Sequence, residues 1–228
     1  MLQKKKKITK KELKQDTLFT FLGNLENFFE EYKNKIYTYG AVIVVIAAAV
    51  YFYINQKAES NEKAGVELSR MMSLYDQGAY LEAIEGKQGS NIMGLKNLVE
   101  EYDGTENGET AKIYLANCYA FLGNYDEAVK YYEDYSGSID YFKAAALAGR
   151  AGYYASKDQI EKAADLYLEA SKMSAINSQN PDYLLKAGIY YLKTGDEEDA
   201  RVLFERIKEE YATSPASREV DKYLALIH

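Results

Sequence analysis

The stretch FLGNYDEAVKYYEDY, residues 121–135, places Gly123 two residues before Tyr125, Ala128 three residues beyond that, and Tyr132 four residues further on. One amphipathic helix has no use for a glycine at that point. A turn between two packed helices does, because glycine accepts a positive φ or a tight helix end. A small residue such as Ala128 lets two helix backbones approach, and the ring four residues on fills the space beside it. The spacing therefore predicts a helical hairpin that turns at Gly123.

The same set recurs. Tyr119, Gly123, Tyr125, Ala128 and Tyr132 are echoed 35 residues later by Tyr154, Asp158, Ile160, Ala163 and Tyr167. Another 37 residues on come Tyr191, Gly195, Glu197, Ala200 and Phe204. Upstream, Leu74, Gly78, Tyr80 and Ala83 form a partial copy, separated from the next by an insertion. A fixed period of this length is the mark of a repeat array, in which each hairpin buries one face and stacking neighbours complete the core.

The pattern resembles the tetratricopeptide repeat, with "YLANCYAFLGNYDEAVKYY" as its best copy. Lys112 stands at the consensus Trp position, Ala116 at the first-helix Gly, Tyr135 at the second Ala and Asp140 at the Pro. In the second copy Arg150 replaces the Leu. Three copies in phase over about 109–211 imply an all-α, tetratricopeptide-like helical-hairpin solenoid. Ser214-Pro215 breaks the chain, and Val220, Tyr223, Leu224 and Ile227 mark a last amphipathic helix that resembles a repeat-array cap. The segment "EGKQGSN", 85–91, reads as the most flexible loop.

Charge divides the chain into three. Residues 1–35 hold nine Lys against five Asp or Glu, residues 36–54 hold no charge, and residues 55–228 hold 19 Lys or Arg against 30 Asp or Glu. The neutral band, "IYTYGAVIVVIAAAVYFYI", makes a helix about 28 Å long, close to the roughly 30 Å of a bilayer core. Tyr37 and Tyr39 at one end and Tyr51, Phe52 and Tyr53 at the other form an aromatic belt. The apolar run begins deeper than a signal peptide allows, and bulky rings follow it, so an uncleaved transmembrane helix is expected. The division expected is 1–35 basic head, 36–54 transmembrane helix, 55–63 linker or helix continuation, and 64–228 repeat domain with its capping helix.

Lys4 to Lys7, Lys10, Lys11, Lys14, Lys33 and Lys35 precede the span, and only Lys57 and Lys63 lie close after it. The positive-inside rule puts the N-terminus in the cytoplasm and the acidic repeats outside it. In a bacterial cell this is a single-pass inner-membrane protein with a periplasmic domain. The lysine run reads as a topology signal attracted to anionic inner-membrane lipid rather than a nucleic-acid contact. Residues 16–35 form an amphipathic helix, with Asp16 or Thr17 as its N-cap and Leu18, Leu22, Leu25, Phe29 and Tyr32 as its stripe. Such a helix lies on the membrane surface or docks a partner, and the pattern leaves both open.

This plan resembles the ancillary subunit of the Sec translocon, a single-pass protein with periplasmic repeats. That resemblance implies protein partners: the translocon and a membrane-anchored chaperone. The plan also resembles repeat proteins that assist outer-membrane assembly and cell division, which implies an adaptor instead. In such repeats the first helix of each pair lines the inner surface. The lining implied here is Ile113, Asn117, Ala120, Phe121, Ala148, Gly152, Ala155, Leu185 and Ile189, with Ala145 and Asp182 nearby. It is small and apolar, suited to an extended or helical apolar segment. Whether it is open, or filled by residues 217–227, is left undecided, as is oligomeric state.

No catalytic pattern emerges. His228 is the sole histidine and stands last, so an imidazole base has no interior position. Nucleotide-binding glycine loops, zinc-type spacings and cofactor motifs are missing from the sequence. "GDEEDA", 195–200, lacks calcium-loop spacing and suits the positive end of a helix. The single cysteine, Cys118, reads as a buried core residue. A binding protein is expected, without enzymatic activity, metal or cofactor.

Overall fold

The computed structural model describes residues 10–87 and 89–227, with the side chains of residues 10–19 and Glu26 outside the described set. The Lys4–Lys7 run, Leu18 of the predicted stripe, Gln88 of the predicted loop and His228 therefore fall partly or wholly outside it. Among the described residues the fold is all-α. The helices are α1 (Lys10–Asp76), α2 (Tyr80–Glu85), α3 (Leu95–Glu101), α4 (Glu106–Phe121) and α5 (Tyr125–Asp134). They continue with α6 (Asp140–Ser156), α7 (Ile160–Ala170), α8 (Asn180–Thr194), α9 (Glu197–Glu210) and α10 (Pro215–Leu224).

Two compact units divide the chain, residues 1–56 and 57–228. In the first, helical backbone already begins at Lys10 and passes through Asp16 and Thr17, so neither residue caps a helix start. Phe21, Leu22, Leu25, Phe28 and Phe29 are all exposed, and Phe28 packs on Tyr32 at 4.9 Å between ring centroids. Further along, Val44, Val45 and Ile46 are exposed too. One helix among the described residues is long and apolar enough to cross a membrane, with a mean hydropathy of 1.9 in its most apolar window.

The second unit is a series of hairpins. Four turns share one geometry: Gly78, Gly123, Asp158 and Gly195 have φ of 75°, 77°, 59° and 95°. In each, the amide after the turn residue donates to the carbonyl five residues back. These bonds are Ala79 to Leu74, Asn124 to Tyr119, Gln159 to Tyr154 and Asp196 to Tyr191, at 2.8–2.9 Å. This is the helix-ending bond of a left-handed cap, which satisfies a carbonyl the helix leaves open. Asp158 makes the same turn as the three glycines, so the sequence period is a structural period.

The helices after each turn carry the predicted small residue and ring inward. Ala128, Ala163 and Ala200 are buried, as are Tyr132, Tyr167 and Phe204. The close helix crossings use glycine. A β-carbon on Gly188 of α8 would stand 2.5 Å from Phe204 Cε1, and one on Gly149 of α6 would overlap the Tyr132 ring. First helices of successive pairs also pack on one another, α4 on α6 and α8 on α10. This nearest-neighbour stacking buries three apolar clusters along the array, one with Leu68 and Met71, one with Ile113 and Tyr132, and one with Val220 and Ile227.

The ends of the array close differently. The C-terminal part of α1 shares a buried cluster with the short α2 through Leu68, Met71, Ala83 and Ile84, and residues 86–94 lead into α3, which packs on α4. Asn61 of α1 holds the start of α4 by two bonds: Asn107 N donates to its Oδ1 and Asn107 Nδ2 to its carbonyl, both at 2.8 Å. Ser214 caps α10 by accepting from Ser217 N at 3.1 Å, with Pro215 in the first turn. Ala216 and Val220 of α10 then cover the core contributed by α8 and α9.

Candidate functional site

The first helices α4, α6 and α8, with the end of α1, leave a groove on their common face. It encloses about 550 Å³ and is lined from α1, α4, α6 and α8, with single rings reaching through from α5 and α7. Ile113, Asn117, Phe121, Ala145 and Ala148 line it, five of the residues expected there. The others lie elsewhere. Leu185 is buried in the core of the last repeats, and Ile189 packs on that core. Ala120 packs against the core between α4, α5 and α6. Gly152 and Ala155 are half-buried on α6, and Asp182 is exposed on α8; none of the three lines the groove. No residue of 217–227 lines it either.

The wall is aromatic rather than small. Six tyrosines line the groove, at 75, 114, 132, 141, 167 and 183, together with Phe121 and Phe142. The small first-helix residues Ala145, Ala148 and Gly149 do not fill the space between helices. Rings of second helices therefore extend through to the inner face. Tyr132 from α5 crosses in this way, and its hydroxyl donates to Asn117 Oδ1 at 2.6 Å. Asn117 Nδ2 in turn donates to the Tyr75 hydroxyl at 3.3 Å. Asn117 thus ties a ring from α1 and a ring from α5 to α4, which fixes the floor of the groove. Tyr183 donates to Gln179 at the α8 end.

Burial pushes the Tyr75 and Tyr183 hydroxyls up to about 12, and raises Tyr114, Tyr132 and Tyr167 for the same reason. All five remain neutral phenols at physiological pH. Two charged side chains line the groove, Asp76 from α1 and Lys186 from α8. The Lys186 ammonium lies over the Tyr167 ring at 5.1 Å from its centroid. Paired tyrosine, asparagine and lysine groups here hold rings in place. Among the described residues of the groove none pairs a nucleophile with a base.

Behind the groove, α4 carries a buried charge cluster. Lys112 occupies the consensus Trp position and has a side chain only 4% exposed. Its Nζ meets Asp103 at 2.9 Å, Glu109 at 2.8 Å and Asp134 at 2.7 Å. Burial alone would lower Lys112, but the bonds to Asp134, Glu109 and Asp103 outweigh it and hold the ammonium above its ordinary value. Glu109 Oε2 also accepts from Ser136 N at 2.7 Å, which anchors the connection after α5. The cluster locks α4 to both neighbours where a tryptophan would otherwise pack.

Comparison with protein families matches the tetratricopeptide repeat at residues 111–136 and 182–214. These are the α4–α5 and α8–α9 hairpins. The α6–α7 hairpin between them has the same turn, with Asp158 in place of glycine. The fold is tetratricopeptide-like, and this repeat is a non-catalytic protein-interaction fold, which supports a scaffold role. No curated protein and no solved structure matches the chain.

Proposed function

We propose that the protein is a membrane-anchored scaffold whose repeats hold a protein segment in the tyrosine-lined groove on the extracytoplasmic side of the inner membrane. The observation that carries this reading is the groove itself, with its ring-lined wall and no capping residue among those lining it. Anchoring is supported by the uncharged span 36–54, whose exposed Val44, Val45 and Ile46 lack the burial of a core helix. The lysine-rich flank favours a cytoplasmic N-terminus. Exposed Phe21, Leu22, Leu25, Phe28 and Phe29 fit the inner leaflet or a membrane partner.

Within this class we favour an accessory of the protein translocon that works beside a membrane-anchored chaperone. The support is the layout: one anchor, a basic cytoplasmic segment and outward-facing repeats. Affinity purification of the full chain from detergent-solubilised membranes tests it. Co-purified translocon subunits are the expected result. Envelope-assembly or division proteins without translocon subunits would instead establish the adaptor role and overturn this assignment.

A further inference from the structure

Rings of the groove, continued by Tyr80 beyond its lining, form a track. Tyr80 stacks on Phe121 at 4.7 Å between centroids, Phe121 meets Tyr75 at 6.3 Å, and Tyr75 meets Tyr114 at 5.0 Å. Tyr114 then meets Phe142 at 6.3 Å, and Phe142 meets Tyr141 at 5.3 Å. Two of its members are open to solvent, Phe121 at 61% exposed and Tyr141 at 45% exposed. Side chains on one face of an extended peptide recur about every 6.6 Å, close to the longer of these steps. The longer steps therefore match alternate residues of an extended segment.

Charge selects what those residues are. Residues 55–228 carry a net charge of −11. Asp76 lines the groove beside the track, and no cation pairs with it among the described residues. Elsewhere the chain covers tyrosine faces with its own lysines, Lys162 over Tyr154 at 3.6 Å and Lys186 over Tyr167 at 5.1 Å. Among the described residues, no lysine of the chain covers the track from Tyr80 to Tyr141. Ring faces are electron-rich and attract cations, guanidinium above all because it also stacks flat. Lys186 sets a positive charge at the α8 end, which directs cationic side chains toward Asp76.

Taking the groove as the binding site proposed above, we propose that its occupant is an extended cationic segment of a partner protein with arginines at alternate positions, stacked on the Phe121–Tyr75–Tyr114 track and paired with Asp76. The neutral phenols of Tyr75 and Tyr114 donate hydrogen bonds to the segment's backbone carbonyls. An apolar segment gains only burial from this wall, and an acidic one meets Asp76 and the negative domain.

The test uses the full chain in phosphatidylcholine nanodiscs, whose neutral lipid does not capture cations. Fluorescein-labelled octapeptides of alternating Arg-Ser, Leu-Ser and Glu-Ser are compared by anisotropy. Arg-Ser is expected to bind tightest. Asp76→Asn, a surface change that leaves packing intact, weakens it about 2- to 5-fold, and Phe121→Ala weakens it roughly 3- to 30-fold. Equal binding of Leu-Ser, tighter binding of Glu-Ser, or Arg-Ser binding indifferent to both substitutions overturns the cationic assignment. If no peptide binds while a photo-crosslinker at Tyr141 still captures protein in membranes, the cationic class fails and the groove reading survives. If nothing is captured either, both fail.

Discussion

Replacing Lys112 perturbs the structure at a place where the cost can be worked out. Its ammonium serves three carboxylates, of which Asp103 and Asp134 are 69% and 68% exposed while Glu109 is 4% exposed. In Lys112→Met the two exposed carboxylates return to water at little cost. Glu109 is left as a buried carboxylate with one remaining bond, from Ser136 N. Breaking a buried ion pair from one side costs about 3–5 kcal/mol, and the Ser136 bond puts the expected loss near the lower end, about 3 kcal/mol. For a domain of this size that lowers Tm by roughly 6–12 °C. Glu109→Gln in the same chain removes the stranded charge and keeps the acceptor for Ser136. The double variant should therefore recover to within about 1 kcal/mol of the parent, since an apolar replacement of a whole buried pair is often close to neutral. Urea unfolding of the full chain in mild detergent, followed by circular dichroism, gives the four corners of the cycle. A double variant no more stable than Lys112→Met would refute the reasoning.

Acid should erode the same cluster. Bonding to Lys112 holds Asp103 below its ordinary value, so its contribution is present above its unfolded pKa and is lost as pH falls through the folded one. Lys112 is held above its ordinary value, so its contribution is complete below about 10.5 and does not vary near neutrality. Tm is expected to be flat from about pH 6 to 9 and to fall below about pH 4 less steeply in Lys112→Met. Gly188→Ala should cost about 1–3 kcal/mol, because its β-carbon meets the fully buried Phe204 ring; an unchanged Tm in a thermal melt would contradict that packing. Asp158→Gly should stabilise by about 0.5 kcal/mol and Gly123→Ala destabilise by about 1–2 kcal/mol, opposite signs that denaturant titration resolves. Cys118 is buried with its thiol pushed up to about 12, so it should stay unlabelled at neutral pH. On that silent background a membrane-impermeant maleimide applied to spheroplasts should label Ser90→Cys and spare Asn34→Cys; the reverse would invert the topology.

The hairpins were legible because their turns need a left-handed residue, and Gly78, Gly123 and Gly195 announce it. Asp158 was legible as the same turn because Tyr154 and Ala163 kept their places around it. The groove's floor was half legible. Ile113, Asn117 and Phe121 follow from the first-helix lining that the repeat resemblance implies. The tyrosine wall does not, because Tyr132 and Tyr167 belong to second helices and reach the groove only where Ala148 and Gly149 leave a gap. The resemblance also implies Leu185 and Ile189 as lining, whereas they pack on the core of the last repeats. The charge cluster was hidden for another reason: Asp103, Glu109 and Asp134 come from three separate segments, and Lys112 alone read as a departure from consensus.

The central claim is that the groove is open and holds another protein. A photo-crosslinking residue at Phe121, which lines the groove and is 61% exposed, tests it in intact membranes, with the same residue at exposed Val202 of α9, which does not line the groove, as the control. The account predicts products with a second protein from Phe121, fewer from Val202, and loss of the Phe121 products when Tyr114→Ala thins the ring wall. Crosslinks from Phe121 confined to the chain's own residues 217–227, or equal yields from both positions, would contradict it.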